Sequence, residues 1–265
     1  MFRVHRVLAL LTVVPVALMA APAQAPRLDG RSFRTAAAVT TTAAPTTAAR
    51  STAAVARRTL VQLDGVTVGV PMGGRQVVTV KHTHDMYARI TLWQRQAGTW
   101  HILARSIGGR IGADGLVEPW NRIQDSDTTP LGTYRLLWAF GSHPQPTTWR
   151  LDYRQVKAGD YWVEDNASAY YNRYRNRAEG GFRWWLPMDA PNSSELLRHY
   201  PVQYEYSIVM GFNYNRPVRH RGAGIFFHVN GPGPTAGCVS APRWFLRKSM
   251  ATLDPALQPV IAIGR

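Results

Sequence analysis

Apolar residues in this chain come in short runs, and glycine or proline ends nearly every run before a helix has room to form. The runs are Leu60–Leu63, Val66–Val70, Gln76–Val80, Ala88–Trp93, Trp100–Ala104, Tyr134–Phe140, Tyr161–Val163, Tyr204–Met210, Ile225–Val229 and Val260–Ile263. With 22 glycines and 18 prolines in 265 residues, turns are frequent, because proline lacks the amide a ladder or helix needs and glycine accepts turn dihedrals. Ala88-Arg89-Ile90-Thr91-Leu92 alternates as a half-buried strand should. The clearest helical pattern starts at Ser240 as N-cap, with Pro242 in the first turn. It runs through Phe245, Leu246, Ser249, Met250 and Leu253, and Pro255 stops it. These features predict a mostly-β fold, a sandwich or open barrel with one or two small helices. The stretch 59–265 is long enough to bury one core and reads as one domain.

Residues 1–25 read as a secretory leader. Arg3, His5 and Arg6 form a basic start, Val7 to Met19 an apolar core, and Ala21-Pro22-Ala23 or Ala23-Gln24-Ala25 offers small-residue cleavage sites. The apolar core is short for a membrane span. Export through the Sec pathway is the expectation, with an extracytoplasmic, wall-associated or secreted location. Residues 26–58 turn to Ala, Thr and Arg without apolar periodicity and read as a disordered spacer. Formal charge is +15, of which the first 58 residues carry eight arginines against one aspartate. For an exported chain this balance favours anionic wall polymers over nucleic acid as partners.

Gly224 to Ser240 concentrates the chemistry. His228 sits in the apolar run Ile225–Val229, a Gly/Pro-rich loop follows, and the loop ends on Cys238, the single cysteine. A lone cysteine is usually an inert, buried small hydrophobe, and a lone strand histidine a satisfied core residue. The spacing and the glycine loop favour a nucleophile with its base instead. The histidine is expected to take the thiol proton, and the helix start about two residues on is expected to favour the thiolate. The amides of Gly237 and Cys238 are candidates for holding an oxyanion.

Thr235-Ala236-Gly237-Cys238-Val239-Ser240, preceded by Phe226-Phe227-His228, resembles the active-site signature of the L,D-transpeptidases, the YkuD-like catalytic domain. A second mark, Asp127-Thr128-Thr129-Pro130-Leu131-Gly132-Thr133-Tyr134, is similar to that family's Thr-Pro-x-Gly segment. The resemblance spans roughly Val77 to Gly264. It departs from the family pattern where Ala236 replaces the usual second histidine and where the interval from histidine to cysteine is short, as in a divergent, actinobacterial-type branch. It implies a YkuD-like β fold, peptidoglycan stem peptides as substrate and acyl transfer through a thioester on Cys238. It also implies acylation by carbapenem-type β-lactams. Hydrolysis of the L,D-carboxypeptidase type and a catalytically decayed wall-binding module are the alternatives.

Other clusters carry less. His82-Thr83-His84-Asp85 resembles half a metal box without a second ligand group, so no metal is expected and a polar hairpin end is the simpler reading. Asp125 and Asp127 read as turn formers. Tyr170 to Arg177, followed by Trp184-Trp185, interleaves aromatics with guanidinium groups, suiting either sugar and carboxylate binding or packing on the core. No phosphate-cradling glycine loop or Gly-x-Ser-x-Gly elbow is present, and no cofactor is expected.

Overall fold

The computed structural model describes residues 58–265; the leader and the spacer up to residue 57 lie outside the described residues. Arg58, which composition assigns to the spacer, is the first residue of a strand. The first hairpins are β1 (Arg58–Leu63), β2 (Val66–Pro71), β3 (Gln76–His84), β4 (Tyr87–Gln96) and β5 (Thr99–Arg110). Then follow β6 (Leu116–Val117), β7 (Thr129–Pro130), β8 (Gly132–Gly141), β9 (Tyr153–Gln155), β10 (Asp160–Val163), β11 (Arg173–Asn176) and β12 (Glu195–Leu196). The last group is β13 (Tyr206–Met210), β14 (Phe226–Val229), β15 (Val239–Ala241), the helix α1 (Arg243–Thr252) and β16 (Val260–Gly264).

The main sheet runs β13-β14-β15-β5-β4-β3-β16-β8-β9. Strand β8 pairs with β16 through residues 132–135 and with β13 through residues 136–141, which closes the sheet on itself. Closure removes the exposed edges that an open sheet must protect. Inside lie Val78, Val80, Ile90, Leu92, Ile208, Phe227, Val239 and Ile261, sealed at one end by Phe245, Leu246 and Met250 of α1. Alternate residues of β13 and β14 serve the other face. Val209 and Phe226 join Phe140, Trp162, Tyr204 and Cys238 in a second core. All four residues of β14 are therefore buried, which is why this run is continuously apolar rather than alternating.

An excursion between β8 and β13 covers that second face with a small sheet of order β11-β10-β12. It is joined to the barrel by aromatic rings. Trp162 meets Phe226 edge-on at 4.7 Å between centroids, and Phe140 meets Phe226 at 5.0 Å and Tyr204 at 5.5 Å. The Trp162 indole N–H donates to Asn172 Oδ1 at 2.8 Å, so its one polar atom is satisfied while the ring is buried.

The helix starts later than the sequence suggests. Ser240 is not its cap but the middle of β15, paired with His228 and Arg110, and its hydroxyl donates to Asn230 Oδ1 at 2.8 Å. Pro242 takes the cap position without a side-chain bond. Ladder pairing and the bond to Asn230 occupy the serine that a local reading assigns to the helix. At the other end α1 stops at Thr252, and Pro255 opens a separate 3-10 turn capped by the Asp254 carboxylate. Replacing Trp162 with alanine removes the ring that joins the small sheet to the barrel. The expected loss is about 3–5 kcal/mol in urea unfolding, and a loss under about 1 kcal/mol would show the two layers to be joined elsewhere.

Candidate active site

Strands β14 and β15 run parallel, with Phe227 opposite Val239, His228 opposite Ser240 and Val229 opposite Ala241. Paired residues of parallel strands face the same way, so Phe226 and His228 lie on the face that Cys238 shares at the head of β15. The Phe226 amide donates to Cys238 Sγ at 3.2 Å, and the thiol donates to the Gly224 carbonyl at 3.2 Å. Both candidate residues are buried, at 8% exposure for Cys238 and 6% for His228, and both line one cleft of about 630 Å³.

The connection between these strands is residues 230–238, whereas a parallel crossover ordinarily takes a dozen residues or more. The turn is held from outside. Arg110 Nη1 donates to the Gly233 carbonyl at 3.0 Å, the Thr235 amide donates to the Ile111 carbonyl at 3.0 Å, and the Ala113 amide donates to the Thr235 carbonyl at 3.0 Å. Two hydroxyls converge on the carbonyl of Cys238, Thr235 Oγ1 at 2.7 Å and Thr129 Oγ1 at 3.1 Å. The Thr-Pro-x-Gly segment thus reaches the cysteine loop directly, although the two are far apart in sequence.

The ionisation expected from the sequence is not what the resting protein holds. Burial pushes the Cys238 thiol up to about 12; the Phe226 amide and Arg122 oppose this, while Glu195 and Glu164 reinforce it. Burial likewise pushes His228 down to about 4. Nor does the helix act on the sulfur as expected. Helix α1 begins at Arg243, beyond β15, and a helix terminus loses its influence within about a turn. Thiol and imidazole are both neutral at rest. The imidazole is nonetheless oriented: His228 Nδ1 lies 2.8 Å from the Val229 carbonyl, which can only accept, so Nδ1 carries the proton and Nε2 is left with a free lone pair.

Gly237 has φ +120°, and its amide donates to Thr235 Oγ1 at 3.2 Å. A Cβ there would lie 2.6 Å from Arg122 Nη2 and 2.7 Å from the Thr128 carbonyl, so only glycine fits. Ala236 is exposed on the rim of the same cleft.

Several residues that sequence reasoning missed complete the cleft. Arg122 is buried, donating from Nε to the Thr128 carbonyl at 2.9 Å and from Nη1 to the Arg221 carbonyl at 3.1 Å. Glu164 follows β10 directly and Glu195 lies on β12, so the small sheet and its flank supply this part of the wall. Burial holds the Glu164 carboxyl well above its usual range, with Glu195 and Asp125 adding to the effect; burial raises Glu195 to about 7. Tyr204 donates its hydroxyl to Glu195 Oε1 at 2.6 Å and sets its ring edge-on to His228 at 5.6 Å. Nothing local marks these side chains; the pairing of Trp162 with Glu195 across β10 and β12 is what brings the carboxyls to the cysteine.

The remaining clusters resolve differently. Asp125 and Asp127 do sit in left-handed turn positions, at φ 60° and 47°, and they also line the cleft. His82 Nε2 bonds to the Asp85 carbonyl at 2.9 Å and His84 packs on Tyr87, so this segment is a hairpin end. In the aromatic-basic stretch, Arg173 lies over Tyr214, Arg175 over Tyr170 and Arg177 over Trp184, so these guanidinium groups stack on the protein's own rings.

The buried imidazole has a consequence for stability. With a folded value of about 4 against 6.5 for the free side chain, the unfolded state binds the proton first as pH falls. Stability due to His228 is therefore complete above about pH 6.5 and is lost toward pH 4. Glu195, raised instead, works in the opposite direction between about 4.5 and 7. Subtracting the pH–stability curve of His228→Gln from that of the wild type isolates the histidine. The difference is expected to fall on acidification by about 3 kcal/mol at most, and a flat difference would mean the ring is not buried neutral.

The family model described as the YkuD L,D-transpeptidase catalytic domain matches residues 75–261. Among solved structures, that of Bd1075 from Bdellovibrio bacteriovorus aligns with 72% of this chain and 48% of its own, at 14% identity and a TM-score of 0.35. This chain thus spans about half the length of that one. No curated protein matches the sequence. With more than half its length matched by that family model, the chain belongs to the family of L,D-transpeptidase catalytic domains.

Proposed function

We propose that the protein is a cysteine acyltransferase that joins peptidoglycan stem peptides through a thioester on Cys238. The observation that carries this reading is the placement of Cys238 and His228 on one face of adjacent parallel strands, both opening on the same cleft within the family-matched segment. Because both groups rest neutral, the proton has to move within the pair before the sulfur can act. The Sγ proton passes to His228 Nε2, and Sγ attacks the carbonyl between an L-centre and a D-residue. Transfer within the pair leaves the thiolate facing an imidazolium rather than bare in a buried site. The amide of Cys238 and that of Gly237, once released from Thr235 Oγ1, hold the oxyanion. When the C–N bond breaks, Nε2 returns the proton to the departing amine, leaving the thioester. A second amine then attacks the thioester carbonyl, the C–S bond breaks, and Sγ regains a proton by way of His228.

Export by the leader at residues 1–25 and attraction of the basic surface to anionic wall polymers belong to the same reading. The test is intact-protein mass spectrometry after incubation with a carbapenem and, separately, with a tetrapeptide donor. One covalent adduct is expected on the wild type and none on Cys238→Ala; His228→Ala is expected to slow adduct formation by about 100-fold or more. A folded wild type that acquires no adduct from either reagent would remove the enzymatic reading and leave a wall-binding module.

A further inference from the structure

Arg122 is 5% exposed, yet among the described residues it forms no ion pair with a carboxylate. Its hydrogen bonds all go to backbone carbonyls, those of Thr128, Ile123 and Arg221, and all leave from Nε and Nη1. Nη2 has no partner among the described residues. The guanidinium lies in a cradle made by two glycines that both adopt left-handed φ, +104° at Gly222 and +120° at Gly237. A Cβ on Gly222 would lie 1.5 Å from Nη1, and one on Gly237 2.6 Å from Nη2. The residue beside the nucleophile is therefore kept small so that this cation can approach.

A buried cation without a counter-ion is costly, and arginine cannot escape the cost by losing its proton. The acidic groups around it make no ion pair with it; Glu164, Tyr171 and Asp125 favour its charged form from a distance, each less than Cys238 does. Glu164, just after β10, and Glu195, on β12, face the cleft, and burial favours the neutral form of both. Asp125 and Asp127 approach from the loop before β7, while Tyr171 and Tyr204 keep their protons. His228, on the face of Cys238, is neutral at rest. The anion that fits the vacant side of the guanidinium is one the protein makes itself.

We propose that Arg122 is the counter-charge for the Cys238 thiolate, stabilising the ion pair formed when the S–H bond breaks and Nε2–H forms on His228. The inference rests on the nucleophile assigned above but not on the identity of the acyl substrate. It makes Arg122 a charge-balancing residue of the reaction, set by the tertiary fold rather than by the cysteine loop.

The test is alkylation of the full chain by iodoacetamide between pH 5 and 10, followed by mass, for the wild type, Arg122→Lys and Arg122→Gln. Arg122→Gln is expected to react about tenfold more slowly than the wild type at each pH in this range, because losing the guanidinium pushes the thiol further up. Arg122→Lys keeps the charge without the planar fork and is expected to fall between the two. Loss of fold does not mimic this result, because an unfolded chain exposes the thiol and alkylates faster. Should Arg122→Gln fail to fold, the comparison of Arg122→Lys with the wild type decides, and identical profiles overturn the proposal. A folded Arg122→Gln that alkylates like the wild type also overturns it, and a raised KM for peptide in that variant would assign the guanidinium to a substrate carboxylate. Iodoacetamide requires no acyl donor. Normal carbapenem adducts with an Arg122-independent alkylation profile sink this inference alone, and the reverse pattern sinks the acyl-transfer reading alone.

Discussion

The parallel pairing of β14 with β15 across a nine-residue connection is the constraint on which the rest of the molecule depends. Parallel neighbours in register put His228 and Cys238 on one face without any further device. The short crossover needs glycine and proline between them, and it cannot hold its own shape. Its shape comes from outside, from Arg110, Ile111 and the hydroxyl of Thr129, so the barrel strand β5 and the segment before β8 act as the mould for the cysteine loop. A cleft geometry that looks local in sequence is set by residues more than a hundred positions away.

The electrostatic character of the cleft follows from what covers it. Trp162 of the small sheet packs on Phe226 of β14, and burial in the cleft beside it favours the neutral thiol and imidazole and raises both carboxyls above their ordinary range. Arg122 is the exception, a permanent charge held by carbonyls alone. A site of this kind has little charge to screen at rest and develops it only as bonds change, the circumstance in which fixed dipoles and cations act most strongly.

Much of this was legible in the sequence. The single cysteine behind a Gly/Pro loop, the histidine in a continuously apolar run and the Thr-Pro-x-Gly segment stand out because each breaks the surrounding pattern. The longer strands were visible from their apolar runs, and the mostly-β class with them. Strand β15 was not, since Val239-Ser240-Ala241 is too short to show a period and Ser240 is an excellent cap by local rules. The short strands β6, β7, β9, β11 and β12 were hidden for the same reason. Arg122, Glu164 and Glu195 were invisible because their roles arise from cross-strand pairing and burial. In the stretch from Tyr170 to Trp185, interleaved arginine and aromatic residues read the same whether the rings meet a ligand or the protein's own guanidinium groups; the contacts are internal.

The last strand, β16, lies between β3, which it joins in parallel, and β8, which it joins antiparallel. It is the stave that completes the barrel, and its residues Val260 to Gly264 come after every other element in the chain. Until β16 is seated, β3 and β8 have no partner on the sides that face each other. The barrel therefore stays open until that strand is in place, and the cleft, whose mould is part of the barrel wall, takes its working shape only then.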